Sequence, residues 1–237
     1  MPLDGREILL AGGSGGLGSV AARMLKTDGA KLIVSYFHNK VRAEKLSDIA
    51  QIVQADITKP ADRERLLKSA PNLYGLVVMT GIPAREPKDW DRSLDVNYTG
   101  PIQLARQAAE RMQANKMNGS IILMGTLQAV SGFPKANTTY AGAKAALIHA
   151  GRILAKDFRG PDEVRVNVVS PGTINAGMAE PSIASGKYDK YLKEGYIWRW
   201  GTAEDVARAI RFFLEPNNYI TGQNILVDGG LGLGPGL

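Results

Sequence analysis

The sequence contains no cysteine and only two histidines. Without thiols there is no disulfide, no thiolate metal site and no catalytic cysteine, and a reducing compartment suits such a chain. His38 and His149 stand far apart without clustered carboxylates, so no metal-ligand set is offered. Long apolar runs are also missing. None approaches the roughly 18 residues that a membrane helix needs. The stretch Met1–Glu7 carries acids and lacks a basic start before an apolar core, which is not the pattern of a signal peptide. These absences point to a cytoplasmic protein with no membrane partner and no metal. Lys and Arg outnumber Asp and Glu by 29 to 23, for a net charge of +6. The cations are scattered rather than massed in a stripe, which argues against a nucleic-acid partner and suits an anionic small ligand.

What the sequence does have is alternation. Its 237 residues suffice for one sizeable domain. Apolar strands are expected at Arg6–Leu10, Ala30–Tyr36, Ile49–Ala55, Tyr74–Thr80, Ser120–Gly125, Val164–Val169 and Ile225–Val227. Between them, helical spacing runs over Leu17–Lys26, Pro60–Ser69, Asp89–Val96, Pro101–Met117, Thr138–Phe158 and Ala203–Leu214. Strands that are apolar throughout, separated by amphipathic helices, imply an α/β fold: a doubly wound parallel sheet covered on both faces. The tail Gly229–Leu237 is expected to be mobile or docked on a neighbouring subunit.

Two stretches carry chemistry. The first is Gly12-Gly-Ser-Gly-Gly16-Leu-Gly18, between a strand and a helix. Glycines there let backbone N–H groups approach a ligand, and the helix start offers orphan donors to a phosphate. The plainer reading is a tight strand–helix turn and nothing more. Coenzyme choice is set at the end of the second strand, where NAD enzymes place an acid on the ribose. Here the sequence reads Ser35-Tyr-Phe-His-Asn-Lys40 with Arg42 next, so NADP(H) is favoured over NAD(H). Asp56, ending the third strand, is placed either to bond the adenine amino group or to cap the helix opened by Pro60.

The second stretch is Tyr140-Ala-Gly-Ala-Lys144. Residues four apart on a helix share a face. A free phenol has a pKa near 10, and a nearby ammonium favours the phenolate. Lys144 is therefore expected to sharpen the acidity of Tyr140. Tyr140 then serves as general acid in reduction and general base in oxidation. The alternative is an ordinary surface pair of Tyr and Lys.

Gly12-x-x-x-Gly16-x-Gly18, Asp56, Val96-Asn97, Thr126, Tyr140-x-x-x-Lys144, Ser170-Pro171-Gly172 and Ile220-Thr221-Gly222-Gln223 with Val227-Asp228-Gly229-Gly230 follow one another in order. Together they resemble the short-chain dehydrogenase/reductase family, and within it the 3-oxoacyl-carrier-protein-reductase-like members. The resemblance implies a Rossmann-type sheet, a carbonyl/alcohol substrate and a homo-oligomer, tetramer or dimer. It implies that Asn97 holds a water relaying protons to Lys144, that Thr126 fixes the substrate oxygen, and that Lys144 also bonds the nicotinamide ribose. Cofactor contacts are implied at Gly12, Ser14, Gly16, Leu17, Gly18, Tyr36, Asp56, Ile57, Gly81, Tyr140, Lys144, Pro171, Gly172 and Ile174.

Four positions depart from the family pattern. Ala11 replaces a threonine, Val78-Met-Thr-Gly81 replaces Asn-Asn-Ala-Gly, Thr126 replaces serine one residue further from Tyr140 than usual, and Ala176 replaces a threonine. The lost side-chain hydrogen bonds, worth about 1 kcal/mol each, motivate a second reading as a non-catalytic nucleotide-sensing protein on the same fold. His149 reads as structural, and His38 as a turn residue within reach of a phosphate. The segment 173–200 is expected to be a lid over the crevice, with Tyr188 and Tyr191 either facing substrate or forming the lid's own core.

Overall fold

The switch from a period of two to a period of 3.6, repeated along the chain, produces an alternating α/β architecture. The computed structural model describes residues 1–84, 86–131 and 137–234. Its strands are β1 (Glu7–Ala11), β2 (Lys31–Tyr36), β3 (Ala50–Gln54), β4 (Leu73–Val78), β5 (Ser120–Met124), β6 (Arg165–Pro171) and β7 (Asn224–Val227). The helices are α1 (Gly16–Thr27), α2 (Lys40–Glu44), α3 (Pro60–Lys68), α4 (Trp90–Leu94), α5 (Gly100–Ala114), α6 (Thr138–Asp157), α7 (Glu180–Ala184), α8 (Lys190–Lys193) and α9 (Ala203–Leu214).

All strand pairs are parallel, and the sheet runs β3-β2-β1-β4-β5-β6-β7. Each strand is apolar at successive positions because each face is covered. In β1, Ile8 and Leu10 join the core against α1 and α9, with Ala21, Leu25, Val206, Ile210 and Phe213. Leu9 and Ala11 join the opposite core, with Leu66, Leu104, Ala108 and Leu147 of α3, α5 and α6. The chain leaves β1 for β2 and β3 on one side and returns to β4 on the other. That reversal opens a crevice at the carboxyl ends of β1 and β4, where ligands bind in open α/β sheets. No helix among the described residues is long and apolar enough to cross a membrane.

Several expectations change in detail. The short helix α2 was not anticipated, although its signal is present: the Asn39 side chain accepts from the N–H of Arg42 at 2.9 Å, an N-cap. The stretches 89–96 and 101–117 form a continuous run from α4 to α5 through a π-helical segment, Asp95–Thr99, whose wide turn contains Asn97. Gly100 N–H reaches back to the Asp95 carbonyl. β4 ends at Val78 rather than Thr80, which frees Met79–Gly81 as a crevice loop. The tail is docked on its own chain as far as it is described: Leu231 is buried with Leu127, Tyr191 and Ile197. Residues 235–237 of that tail lie outside the described residues.

The first turn after β1 is held by glycine contacts. A Cβ on Gly18 would stand 2.3 Å from the Gly13 carbonyl oxygen, and one on Gly13 would stand 2.6 Å from Leu10 Cβ. Backbone cannot yield as a flexible side chain can. Gly18→Ala is therefore expected to lower stability by about 1–3 kcal/mol, as overpacking does. Urea denaturation with an unshifted midpoint would show that this contact is absent.

Candidate active site

Five loops at the carboxyl end of the sheet build the site. The glycine turn follows β1, Phe37–Asn39 follows β2, Ala55–Thr58 follows β3, Met79–Ala84 follows β4, and Gly125–Ala129 follows β5. The loop after β6, Gly172–Gly177, closes over them, and α6 crosses the floor.

The glycine turn fits a dinucleotide pyrophosphate on two observations. Gly12 has φ +74°, and a Cβ there would stand 2.8 Å from Thr80 Cγ2. A Cβ on Gly16 would stand 2.7 Å from the Gly177 backbone nitrogen. Only glycines let the three loops approach so closely. In addition, α1 starts at Gly16 behind Gly15, which has no side chain to cap it, and no acid occupies the first turn. The N–H groups of Gly16, Leu17 and Gly18 and the positive helix end are therefore left for an anion. Ser14 is buried beside them, and Leu17 is half-buried against the core. The missing threonine at Ala11 is replaced in effect by Ser35, whose hydroxyl accepts from Gly12 N–H at 2.9 Å.

At the adenosine end, Tyr36 is buried as the last residue of β2, and the ring presented to solvent is that of Phe37, 41% exposed. Asp56 does not cap α3, whose N-cap is Lys59. Its carboxylate accepts from the Thr58 N–H and hydroxyl at 3.0 and 2.7 Å, and from Arg92 at 3.1 Å. Burial alone would raise its pKa, but the bonds from Thr58 and Arg92 win and hold it below the ordinary carboxylate value. Ile57 is buried, and its carbonyl accepts from Arg63 at 2.9 Å.

The reaction end is built from α6 and the π-helical segment. Asn137 caps α6 by accepting from Tyr140 N–H at 3.0 Å and donates to the Ala84 carbonyl, so one side chain fixes both the start of the helix and the loop after β4. Its position just ahead of a helical run is the signal that marks it. Asn97 is fully buried. Its amide bonds the Ile82 carbonyl at 2.8 Å, the Ile82 N–H at 3.2 Å and the Ser93 hydroxyl at 2.9 Å. Gly81 lies between the two polar groups: a Cβ there would be 3.3 Å from Asn97 Oδ1 and 4.0 Å from Lys144 Nζ. Thr126 ends the β5 loop, accepting from Gln128 N–H at 3.4 Å.

Lys144 is 2% exposed, and its amine donates to the carbonyls of Met124 at 2.8 Å and Thr80 at 3.2 Å. Burial brings its pKa from 10.5 down to about 7. The protein's own groups do not produce the lowering of Tyr140 expected from Lys144. Tyr140 is raised above 10, because loss of water around its hydroxyl outweighs the opposing hydrogen bond from Thr126. The phenol therefore holds its proton at neutral pH. Thr126 is the hydroxyl that meets it, despite the unusual spacing.

On the far wall, Pro171 ends β6, and Gly172 packs so closely on Asp228 that a Cβ would stand 2.6 Å from its Cβ. Ile174 is buried in the core. The altered Val78–Gly81 stretch remains tied to its neighbours: Met79 N–H donates to the Ala11 carbonyl at 2.8 Å and the Thr80 hydroxyl to the Val96 carbonyl at 3.3 Å. Tyr188, Tyr191 and Tyr196 resolve as the core of segment 173–200. Tyr188 stacks on the buried Tyr191 at 6.2 Å between centroids and Tyr196 meets it edge-on at 5.5 Å, in a cluster with Leu127 and Leu231. Trp198, in contrast, is 82% exposed. The two histidines stay separate: the His38 ring lies tilted against Phe37 with centroids 3.7 Å apart, and His149 lies on α6. No group of three metal-liganding side chains meets among the described residues.

A family model described as "Enoyl-(Acyl carrier protein) reductase" matches residues 11–232. The chain belongs to the short-chain dehydrogenase/reductase family. It is accordingly an oxidoreductase of the CH–OH/C=O type. It is 30% identical to 3beta-hydroxysteroid dehydrogenase 1 of Eggerthella lenta, over 99% of this chain and 96% of that one. It is 30% identical to the 3-oxoacyl-acyl-carrier-protein reductase FabG of Rickettsia felis, over 97% of this chain and 98% of that one. Similarity to 2-(S)-hydroxypropyl-CoM dehydrogenase 3 of Xanthobacter autotrophicus is 32%, over 97% of each chain. Among solved structures, a short chain dehydrogenase/reductase family protein superposes with a TM-score of 0.86 at 31% identity, over 97% of this chain and 98% of that one. ElxO, solved with NADP bound, superposes at 0.84 and 25% identity, over 96% and 98%.

The depressed Lys144 gives a pH test. Between about pH 7 and 10.5 the unfolded chain holds a proton on this amine that the folded chain releases. The unfolded state then binds more protons, so this group makes stability rise with pH across that window. Below the window its destabilising effect is constant. Lys144→Met removes the titration. Thermal unfolding of both proteins should show wild type gaining on the variant between pH 7 and 9.5. A difference independent of pH would mean that the amine is not desolvated.

Proposed function

We propose that the protein is an NADP(H)-dependent reductase or dehydrogenase that interconverts a small carbonyl compound and its alcohol, with Tyr140 as the proton-transfer group. The observation that carries this reading is the shared location of a protonated phenol, the Thr126 hydroxyl and a buried amine at the crevice floor, beyond a glycine cradle suited to a pyrophosphate. A 3-oxoacyl thioester is one candidate substrate, consistent with the FabG relatives, and a steroid ketone is another.

When bound, the nicotinamide supplies the hydride. The protein's own residues do the rest. Backbone N–H groups of Gly12–Gly18 and the uncapped start of α1 hold the pyrophosphate. Ser14, Tyr36, Asp56, Ile57 and Gly81 border the adenosine and central part of the dinucleotide, and Pro171, Gly172 and Ile174 border its nicotinamide end. The Thr126 hydroxyl donates to the substrate carbonyl and Tyr140 delivers the proton to the same oxygen. A raised phenol pKa keeps the proton on Tyr140 at neutral pH and makes it a weaker acid, so donation relies on charge developing at the substrate oxygen. In its protonated form Lys144 uses two of its three N–H donors on backbone carbonyls, leaving one for the nicotinamide ribose. Asn97 holds the Ile82 backbone in place beside Gly81, from which a bound water relays protons to Lys144. The segment 173–200 acts as the lid of this single domain, and its tyrosine core keeps it rigid. The retained ties at Met79 and Thr80 support the catalytic reading over a nucleotide-sensing protein without catalysis.

We also read the chain as a cytoplasmic homo-oligomer. β7 is one of the two edges of the sheet, and Leu226 on it and Phe212 on α9 are exposed. Light scattering behind size exclusion tests this, and a monomer at micromolar concentration rejects it.

Tyr140→Phe should lower kcat/KM for carbonyl reduction by about 10²- to 10⁴-fold, the range for a positioned acid, and leave NADPH affinity within about threefold. Turnover is followed at 340 nm over a panel of ketones and thioesters, where retention of most activity would remove Tyr140 from this role. Thr126→Val should cost roughly tenfold or more, and Thr126→Ser should restore most of it, since a charge-assisted hydrogen bond is worth about 1.5–3 kcal/mol. Equal activity of the two variants would show that the hydroxyl is not used.

A further inference from the structure

Three cations lie near the end of β2: Lys40 and Arg42, which follow it in sequence, and Arg92, which does not. In this fold the ribose 2′ position is read at the end of the second strand, by an acid for NAD or by a nearby arginine for NADP. β2 ends at Tyr36 and is followed by Phe37-His38-Asn39, none of them acidic. Lys40 and Arg42 follow directly, on α2. Lys40 is turned to Glu44 at 3.5 Å with 69% of its side chain exposed, a solvated pair one helical turn long. Arg42 is likewise exposed on that helix.

Arg92 arrives from α4. Its guanidinium carbon stands 5.5 Å from the centroid of the Phe37 ring, directly at the strand end. It donates to the Thr58 hydroxyl at 2.9 Å and to the Asp56 carboxylate at 3.1 Å, so it bridges the ends of β2 and β3. Among the described residues those bonds use two of its five donors. Its side chain is 40% exposed, against 13% for Asp56, so the unused donors remain reachable from the crevice. A guanidinium keeps its charge and offers a planar fork that matches phosphate oxygens.

Resting on the dinucleotide reading above, we infer that Arg92 is the residue that selects a 2′-phosphorylated dinucleotide. One face of its guanidinium is anchored by Asp56 and Thr58, and the remaining N–H groups bond the 2′-phosphate over the Phe37 ring. The anchor fixes the fork in place. The same cation also screens the phosphate from the Asp56 carboxylate, which would otherwise repel it.

Isothermal titration decides the matter without any turnover. The ligands are adenosine 2′,5′-bisphosphate and NADP⁺ on one side, and 5′-AMP and NAD⁺ on the other. The proteins are wild type, Arg92→Gln, Arg92→Lys and the double variant Lys40→Gln/Arg42→Gln. Wild type should prefer the 2′-phosphorylated pair. Arg92→Gln should weaken that pair by roughly 10- to 100-fold, the size of one or two charge-assisted bonds, and change the other pair by less than about threefold. Arg92→Lys, which keeps the charge and loses the fork, should fall between and guards against misfolding of the glutamine variant. The Lys40/Arg42 double variant should stay within about threefold of wild type. Equal losses for all four ligands would overturn the proposal and leave Arg92 as a support for Asp56 alone. No loss, or loss that follows Lys40 and Arg42 instead, would overturn it too. A wild-type preference for NAD⁺ would sink the inference and spare the oxidoreductase reading. Failure of wild type to bind any of the four would instead overturn the dinucleotide reading itself.

Discussion

A single buried amine joins the parts of this site. Lys144 reaches from α6 to the carbonyls that end β4's loop and β5, at Thr80 and Met124. A primary amine sealed from water is costly, and the protein meets that cost with two backbone acceptors and a pKa drawn down to about 7. The consequence is geometric as much as electrostatic. With Lys144 anchored, the face of α6 that carries Tyr140 is fixed against the crevice, and Asn137 secures the same helix from its start. Asn97 then completes the floor from the opposite side, using its amide on both backbone groups of Ile82.

The acidity of Tyr140 runs opposite to what the Tyr-x-x-x-Lys pattern alone suggests. Spacing says that a cation is near, but it does not say how much water is lost. In this structure dehydration around the phenol outweighs the opposing Thr126 bond and keeps it protonated. A protonated phenol can give its proton to a substrate oxygen, and the higher its pKa the weaker it is as that acid.

The glycine turn, the strand–helix alternation and the order of the motifs were legible because each rests on local chemistry. A glycine with positive φ, a helix start without a cap and a doubly buried strand leave marks in adjacent residues. The unusual residues were harder to judge. Ala11 looks like a loss when read singly, yet Ser35, 23 residues from Gly12, accepts a hydrogen bond from the same turn. Compensation by a residue distant in sequence leaves no local mark. The lid tyrosines were undecidable for the same reason, since whether a ring faces inward depends on Leu127 and Leu231 beneath it.

By itself the sequence determined the fold class, the glycine turn between β1 and α1 and the placing of Tyr140 and Lys144 on one helix, since periodicity and backbone freedom are properties of neighbouring residues. Only the tertiary structure decided which way the phenol's acidity moves, which hydroxyl meets it, and that Arg92 rather than Lys40 stands over Phe37 at the end of β2. Those outcomes depend on dehydration and on contacts between distant segments. Both are created only when the sheet brings its loops to one end.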